Sequence, residues 1–402
     1  MNTAPIGVFD SGMGGLSVLS ALRAALPSEH FVYYGDNAHA PYGPREAEEV
    51  VCLSRLAAQK LMERGIKALV IACNTASSAS MEILKEELPI PVFGLEPELR
   101  KAKEIAGEKG VLVLATEGTL RGALYRRALE RYCPEAVGIP APEAVLMVER
   151  GALEGREPEA YFSEKFAPYA GEEIGAIVLG CTHFPFLKKA ISRAMPGTPL
   201  LDGNERLLSN LCRTLRGDLC VQGEGTVELL SSSEDEDVLR RMHELFEQAA
   251  SHDFSPLERA LWRNKALFSA GALNCAETVL STTLEAWGLE VPFVPRIATP
   301  FGGGMGAMRS TCGACTGALM AIGIALGRIP GGDREPAYSA AQAFLRWMNA
   351  EYGTHDCGEL IHQDPANPEK YRDSRLCDTH ETVCRPLIER VVRYLVENVH
   401  PK

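Results

Sequence analysis

Between residues 5 and 215 short apolar runs alternate with longer segments whose apolar residues recur at helical spacing. The runs at 5–10, 30–36, 68–73, 92–96, 110–116, 176–182 and 199–202 read as strands. They are apolar throughout, as expected when helices cover both faces, and strands alternating with helices predict a parallel sheet of βα units. From residue 217 the pattern breaks at QGEGT and the acidic run SSSEDED, followed by the amphipathic LRRMHELFEQAA. Ser233 and Glu236 have the spacing of a capping box, and the acidic run reads as a solvated helix start. Further on, 257–289 and 339–352 read as helical, 302–306 as a glycine turn and 317–326 as a small-residue helix. The division expected is an α/β domain at 1–216, an acidic linker and helix at 217–255, and a mostly helical, cysteine-rich domain at 256–402.

Composition narrows the classes. Of 402 residues 46% are hydrophobic and 23% charged, the balance of a globular protein. Lys and Arg total 41 against 53 Asp and Glu, giving −12, so no overall basic field would draw nucleic acid or anionic lipid. The longest apolar stretch, 317–327, falls short of the ~20 residues that span a bilayer. The N-terminal segment MNTAPIGVFDSG has neither a basic nor a long apolar leader region, and a cytoplasmic protein is expected. In that reducing setting the 12 cysteines point to thiol chemistry or metal ligation rather than disulfide stapling.

Ligands of an open parallel sheet gather beyond the carboxyl ends of its strands, and here those ends carry unusual residues. Asp10-Ser11, Cys73-Asn74-Thr75, Thr116 and Cys181-Thr182-His183 each follow a strand run. Asp10 and Thr116 are 106 positions apart, Cys73 and Cys181 108, which indicates two halves of one plan. If the halves face each other about a pseudo-twofold axis, the two cysteines reach a shared cleft from opposite sides. Each precedes a helix, whose N-terminus favours a thiolate. Two bases on opposite faces of one carbon are what stereoinversion requires, one removing the α-proton and the other returning a proton. A nucleophilic hydrolase would use only one thiolate, and a thiol oxidoreductase would need the pair within disulfide reach.

DSGMGGLSV (10–18), APYG (40–43), ACNTAS (72–77), TEGT (116–119) and LGCTHFP (179–185) together resemble glutamate racemase of the aspartate/glutamate racemase superfamily. The resemblance implies two pseudo-symmetric α/β halves and cofactor-independent interconversion of L- and D-glutamate, the D-isomer serving peptidoglycan synthesis. It implies Cys73 and Cys181 as the two bases, assisted by Asp10 and His183. Asp10, Ser11, Tyr42, Gly43, Asn74, Thr75, Thr119 and Thr182 would hold the amino and carboxylate groups, and a homodimer is expected. Gly122 stands where such racemases commonly have serine, and Ala141-Pro142 where they have Cys-Pro. Thr116 is left out of the site, and Glu149 reads as an exposed helix glutamate rather than a neighbour of the substrate amino group.

Beyond residue 260, NCAETVL, FGGGMG, TCGACTGALMAIG, EYGTHDCGELI and VCRPLIERVVRYL resemble the C-GCAxxG-C-C family, proposed to be redox-active. Its cysteines would be Cys275, Cys312, Cys357 and Cys384, with Cys315 and Cys377 as extras. Such a set could hold an iron–sulfur cluster or another thiophilic metal, or cycle as dithiols with a thiol or electron-transfer partner. Cys312 and Cys315 form a CxxC that could be redox-active at a helix start. FGGGMG reads as a tight turn, since no strand precedes it and no Lys-Ser/Thr follows. Two alternatives stay open: a thiol or metal redox protein built on an inactive racemase scaffold, and a racemase of aspartate or a related amino acid.

Overall fold

The computed structural model describes residues 2–220, 222–251, 255–361 and 379–401. The chain divides into two compact units, one of residues 1–214 and 218–252, the other of 215–217 and 253–402. Cys377 lies outside the described residues.

The first unit contains two wholly parallel sheets. Strands β1 (Ile6–Asp10), β2 (Phe31–Gly35), β3 (Ala68–Ile71) and β4 (Val92–Gly94) belong to the first. Strands β5 (Gly110–Ala115), β6 (Val137–Pro140), β7 (Ile174–Gly180) and β8 (Leu200–Leu201) build the second. The order in the first is β4-β3-β1-β2 and in the second β8-β7-β5-β6, the same winding repeated. The two-halves reading of the sequence offsets therefore has a topological counterpart: β1 corresponds to β5 and β3 to β7. The central strands are apolar because both faces are covered. All of β1 and β3 is buried, and Phe9, Leu69 and Ile71 share a core with Leu61 and Ala76 from flanking helices. Each fully buried Phe, Leu or Ile side chain there contributes about 1.5–3 kcal/mol.

Of the acidic linker and helix expected at 217–255, residues 218–252 are instead part of this unit. Its β9 (Val227–Ser231) pairs in parallel with β2 as a fifth strand of the first sheet. The following helix, Glu236–Ser251, buries Val238, Met242, Leu245 and Ala249 and packs on helix Leu16–Ala25. An amphipathic helix with so regular an apolar stripe is worth more packed than solvated. Its start also differs from the expected capping box, because Asp235 caps it, accepting from the N–H of Asp237 at 2.9 Å.

The second unit is helical. Its main helices are Pro256–Ser269, Cys275–Ala286, Gly313–Leu326, Glu335–Tyr352 and Arg385–Asn398. The segment expected as one helix over 257–289 is two, interrupted where Gly271 takes φ +70° and Asn274 starts the second. Here a capping box does form: Asn274 accepts from the N–H of Glu277, whose carboxylate accepts from the N–H of Asn274. Val279, Leu280, Ala318, Ile322, Phe344, Ile388 and Val392 make the core. Among the described residues no helix is long and apolar enough to cross a membrane.

Candidate active site

Asp10 ends β1 and is wholly buried. Its carboxylate accepts from the N–H of Gly12 at 3.0 Å and from the hydroxyl of Thr182, in the other half of the unit, at 3.1 Å. Burial raises its carboxyl above the ordinary range, while the His183 charge and the N–H groups of Gly12 and Gly15 pull it down.

Cys73 follows β3 and caps helix Asn74–Glu87, its sulfur accepting from the N–H of Ala76 at 3.4 Å. Burial pushes its thiol up to about 12, and the neighbouring Asp10 charge adds to this; hydrogen bonds from Ser11 and Ala76 oppose it, and Cys181 is close enough to raise it further. A thiol so placed holds a proton that it can give.

Cys181 follows β7, with its sulfur 3.6 Å from Nδ1 of His183. Nε2 of His183 lies 2.6 Å from Oε1 of Glu149, which also accepts from the N–H of Met13 at 2.9 Å. Burial works against a charge on His183, but its hydrogen bonds to Cys181 and Glu149 outweigh burial and raise the imidazole well above its ordinary value. Burial likewise opposes charge on Glu149, yet His183 and the Met13 N–H hold its carboxyl below the usual range. The result is a buried cation held between a carboxylate and the Cys181 sulfur.

Glu149 is therefore not the exposed helix residue expected. It ends helix Pro142–Glu149 with its side chain 22% exposed and turned onto His183. Two glycines leave room for this pair: a Cβ at Gly12 would stand 2.5 Å from Oε1 of Glu149, and one at Gly14 would collide with the His183 ring. Thr116, left out of the site on sequence, caps helix Glu117–Arg121 and joins Thr75 and Thr119 in a buried hydroxyl cluster, with Oγ1 separations of 3.0 Å from each.

Of the remaining expected residues, Ser11, Asn74, Thr75, Thr119 and Thr182 are buried around the two cysteines. Tyr42 differs, for its hydroxyl donates to Asp36 at 2.6 Å and its ring packs on Phe9. Gly43 lies against Thr116. The arrangement as a whole brings two thiols from matching strand ends together, one beside a carboxylate and one beside a protonated imidazole.

In the second unit three of the four expected cysteines, Cys275, Cys312 and Cys357, stand at helix starts, while Cys384 ends the π-helical turn His380–Cys384. Cys275 opens helix Cys275–Ala286, and Cys312 immediately precedes Gly313–Leu326. Cys357 opens the short turn Cys357–Leu360, and Cys384 immediately precedes Arg385–Asn398. Cys275, Cys357 and Cys384 lie within electrostatic reach of one another. Cys312 and Cys357 influence each other's titration, Cys312 being raised well above its ordinary value and Cys357, with Arg309 nearby, lowered. Cys315, the second cysteine of the CxxC, sits in the apolar core, where burial pushes its thiol up to about 12. Among the described residues no group of three or more His, Cys, Asp or Glu is arranged to hold a metal ion. FGGGMG is a turn in which Gly303, Gly304, Met305 and Gly306 all take positive φ.

Comparison with known proteins matches both parts. Residues 6–210 fit the family model described as "Asp/Glu/Hydantoin racemase", and residues 273–398 the one described as "Putative redox-active protein (C_GCAxxG_C_C)". A glutamate racemase of Clostridium acetobutylicum is 39% identical over 249 residues, 60% of this chain and 97% of that enzyme. Among solved structures, glutamate racemase from Thermus thermophilus in complex with beta-chloro-D-alanine aligns with a TM-score of 0.53 at 38% identity, over 60% of this chain and 93% of that one. The Francisella tularensis glutamate racemase in complex with D-glutamate gives 0.54 at 28% identity, over 62% and 95%. On the paired sheets, the two strand-end cysteines and these matches, the chain belongs to the Asp/Glu/hydantoin racemase family and its N-terminal unit is an amino-acid racemase.

Proposed function

We propose that the N-terminal unit interconverts L- and D-glutamate without a cofactor, using Cys73 and Cys181 as the two bases. The observation that carries the reading is the pairing of a buried, protonated thiol beside Asp10 with a second thiol beside the His183–Glu149 ion pair. In one direction the Cys181 thiolate takes the α-proton, leaving a carbanion delocalised into the substrate carboxylate. Cys73 then gives its proton to the opposite face. The reverse reaction exchanges the roles, with the His183 cation steadying a Cys181 thiolate, Ser11 and the Ala76 N–H steadying a Cys73 thiolate, and Asp10 favouring the return of the proton to Cys73. The main-chain N–H groups opening helix Asn74–Glu87, with Asn74, Thr75 and Thr119, suit a carboxylate, and Asp10 suits the ammonium group.

Glutamate as substrate is supported by the glutamate racemases to which the chain is similar. On this reading the product serves peptidoglycan synthesis, the enzyme is cytoplasmic, and it acts as a homodimer. The C-terminal unit is a thiol redox module, a reading supported by the gathering of Cys275, Cys312, Cys357 and Cys384.

The test follows L-glutamate in heavy water with the reduced full-length protein, without pyridoxal phosphate. Optical activity should vanish while deuterium enters the α-position, read by circular dichroism and proton NMR. Unchanged glutamate would overturn the reading, and turnover of aspartate alone would move it to another substrate.

A further inference from the structure

The run SSSEDED reads in sequence as a solvated helix start, yet its first two serines are bonded to the loop that leads into the racemase site. Ser231 ends β9 opposite Gly35 of β2, and the N–H of Ser232 donates to Gly35 O at 3.0 Å. The Oγ of Ser232 accepts from the N–H of Ala38 at 2.9 Å. The Oγ of Ser231 donates to Asn37 Oδ1 at 3.1 Å and accepts from the N–H of Ser233 at 3.0 Å, which fixes the hydroxyl on both sides. Gly35 makes room for this seam, since a Cβ there would stand 2.5 Å from Asn37 Oδ1 and 2.8 Å from Gly12 O. The short turn Asn37–His39 is thus held by side chains 194 positions further along the chain.

From that turn the bonds run inward. The N–H of Asp36 donates to Asp10 O at 2.9 Å, and the buried Asp36 carboxylate meets His39 Nδ1 at 2.8 Å and accepts from the Tyr42 hydroxyl at 2.6 Å. Arg45 ties the loop at its other end, its guanidinium donating to His39 O at 3.0 and 2.7 Å and its N–H to Tyr42 O at 3.0 Å. Beyond Tyr42 the chain is pressed onto the hydroxyl cluster of the site. A Cβ at Gly43 would stand 3.1 Å from that of Thr116, and one at Gly118 2.7 Å from Gly43 O. Asp36 and Arg45 fasten the loop to itself and to β1, whereas Ser231 and Ser232 fasten its turn to the outer strand of the sheet.

We propose that Ser231 and Ser232 are positioning residues of the racemase, holding the turn at 37–39 against the end of β9 and so keeping Tyr42 and Gly43 in place before substrate arrives. This rests on the reading in which Tyr42 and Gly43 belong to the glutamate site. Substrate need not order a loop that is already ordered, so the effect falls on binding. Proton transfer is spared, because the two thiols keep their own partners, the Ala76 N–H for Cys73 and His183 for Cys181, whether or not the turn is fastened. Contacts that serve the bound substrate and the transition state alike set KM and leave kcat nearly unchanged. The strand read from sequence as part of a linker thereby contributes to the site.

The test measures kcat and KM for L- and D-glutamate with the reduced full-length protein and its variants. Ser232→Ala removes the acceptor for Ala38 and should raise KM about fivefold for both enantiomers, with kcat changed less than about twofold. Combining it with Ser231→Ala should raise KM about tenfold or more. Ser232→Thr keeps the hydroxyl and should keep the native KM. A merely structural role would lower the active fraction instead, and a fall in apparent kcat at unchanged KM would overturn the positioning role. Gly43→Ala examines the reading beneath it, because crowding Thr116 at that point should raise KM by itself. KM raised by Gly43→Ala but unmoved in the double serine variant would overturn the positioning role and leave the site reading intact. KM unmoved in every variant would overturn both.

Discussion

Cys73 and Cys181 come from matching strand ends of two similar halves, and each sulfur has a partner that is not a thiol: Ser11 and the Ala76 N–H for one, His183 for the other. Cys312 and Cys357 come from two segments held by a single bridge, and the nearest groups that bear on their titration include other thiols. The residue type is the same, so under the proposed function it is the groups beside each sulfur that set the first pair apart: a carboxylate and an imidazolium tune thiols for exchanging protons with a carbon held between them.

The comparison breaks most readily at the first pair. Cys73→Ala and Cys181→Ala should each lower racemisation about 10³-fold or more in both directions, measured polarimetrically from L- and D-glutamate. Full activity in either single variant would mean that one sulfur is a bystander and that the halves are not chemically equivalent. A smaller loss is expected from Glu149→Gln, which removes the charge that keeps His183 protonated. His183 is cationic below its raised pKa and loses that charge as pH climbs through it, so activity should have an alkaline limb. Without the Glu149 charge that limb should move to lower pH, with kcat falling about tenfold at pH 8. An unmoved limb in the pH profile would show that Glu149 only fastens the Met13 loop.

The smallest effect sharpens the contrast from the side of the scaffold. Asn274→Ala removes the capping box that starts helix Cys275–Ala286 and should cost about 1 kcal/mol in urea unfolding, with glutamate turnover unaltered in the absence of urea. A racemase rate that fell with it would mean that the two units do not act separately.

Much of the first unit was legible because its strands announce themselves. Seven apolar runs became seven strands, and the offsets between strand ends carried the duplication. The two strands that escaped are VGIP, which ends in proline, and VELLS, an edge strand that follows the glycine-rich QGEGT and runs into the acidic segment. Cys73, Cys181 and His183 were legible as types at strand ends. Glu149 was not, because it terminates a helix whose other positions are ordinary, and its partner is 34 residues away. In the second unit the CxxC spacing drew attention to Cys315, which sits in the apolar core, while the bridge of Thr311 to Asp356 depends on a backbone pairing that no local pattern announces.

The fifth strand of the first sheet has a consequence for synthesis. β2 is made early, yet its outer neighbour begins 196 positions later, at Val227 opposite Phe31. At about 5–20 residues per second, the ribosome leaves that edge of the nascent sheet unpaired for roughly 10–40 s. Through that interval FVYYG presents open backbone groups and two tyrosines, the kind of edge on which neighbouring nascent chains associate. The racemase half of this polypeptide is therefore finished only when its ribosome has passed the helix ending at Ser251, and chaperone demand should peak before that point.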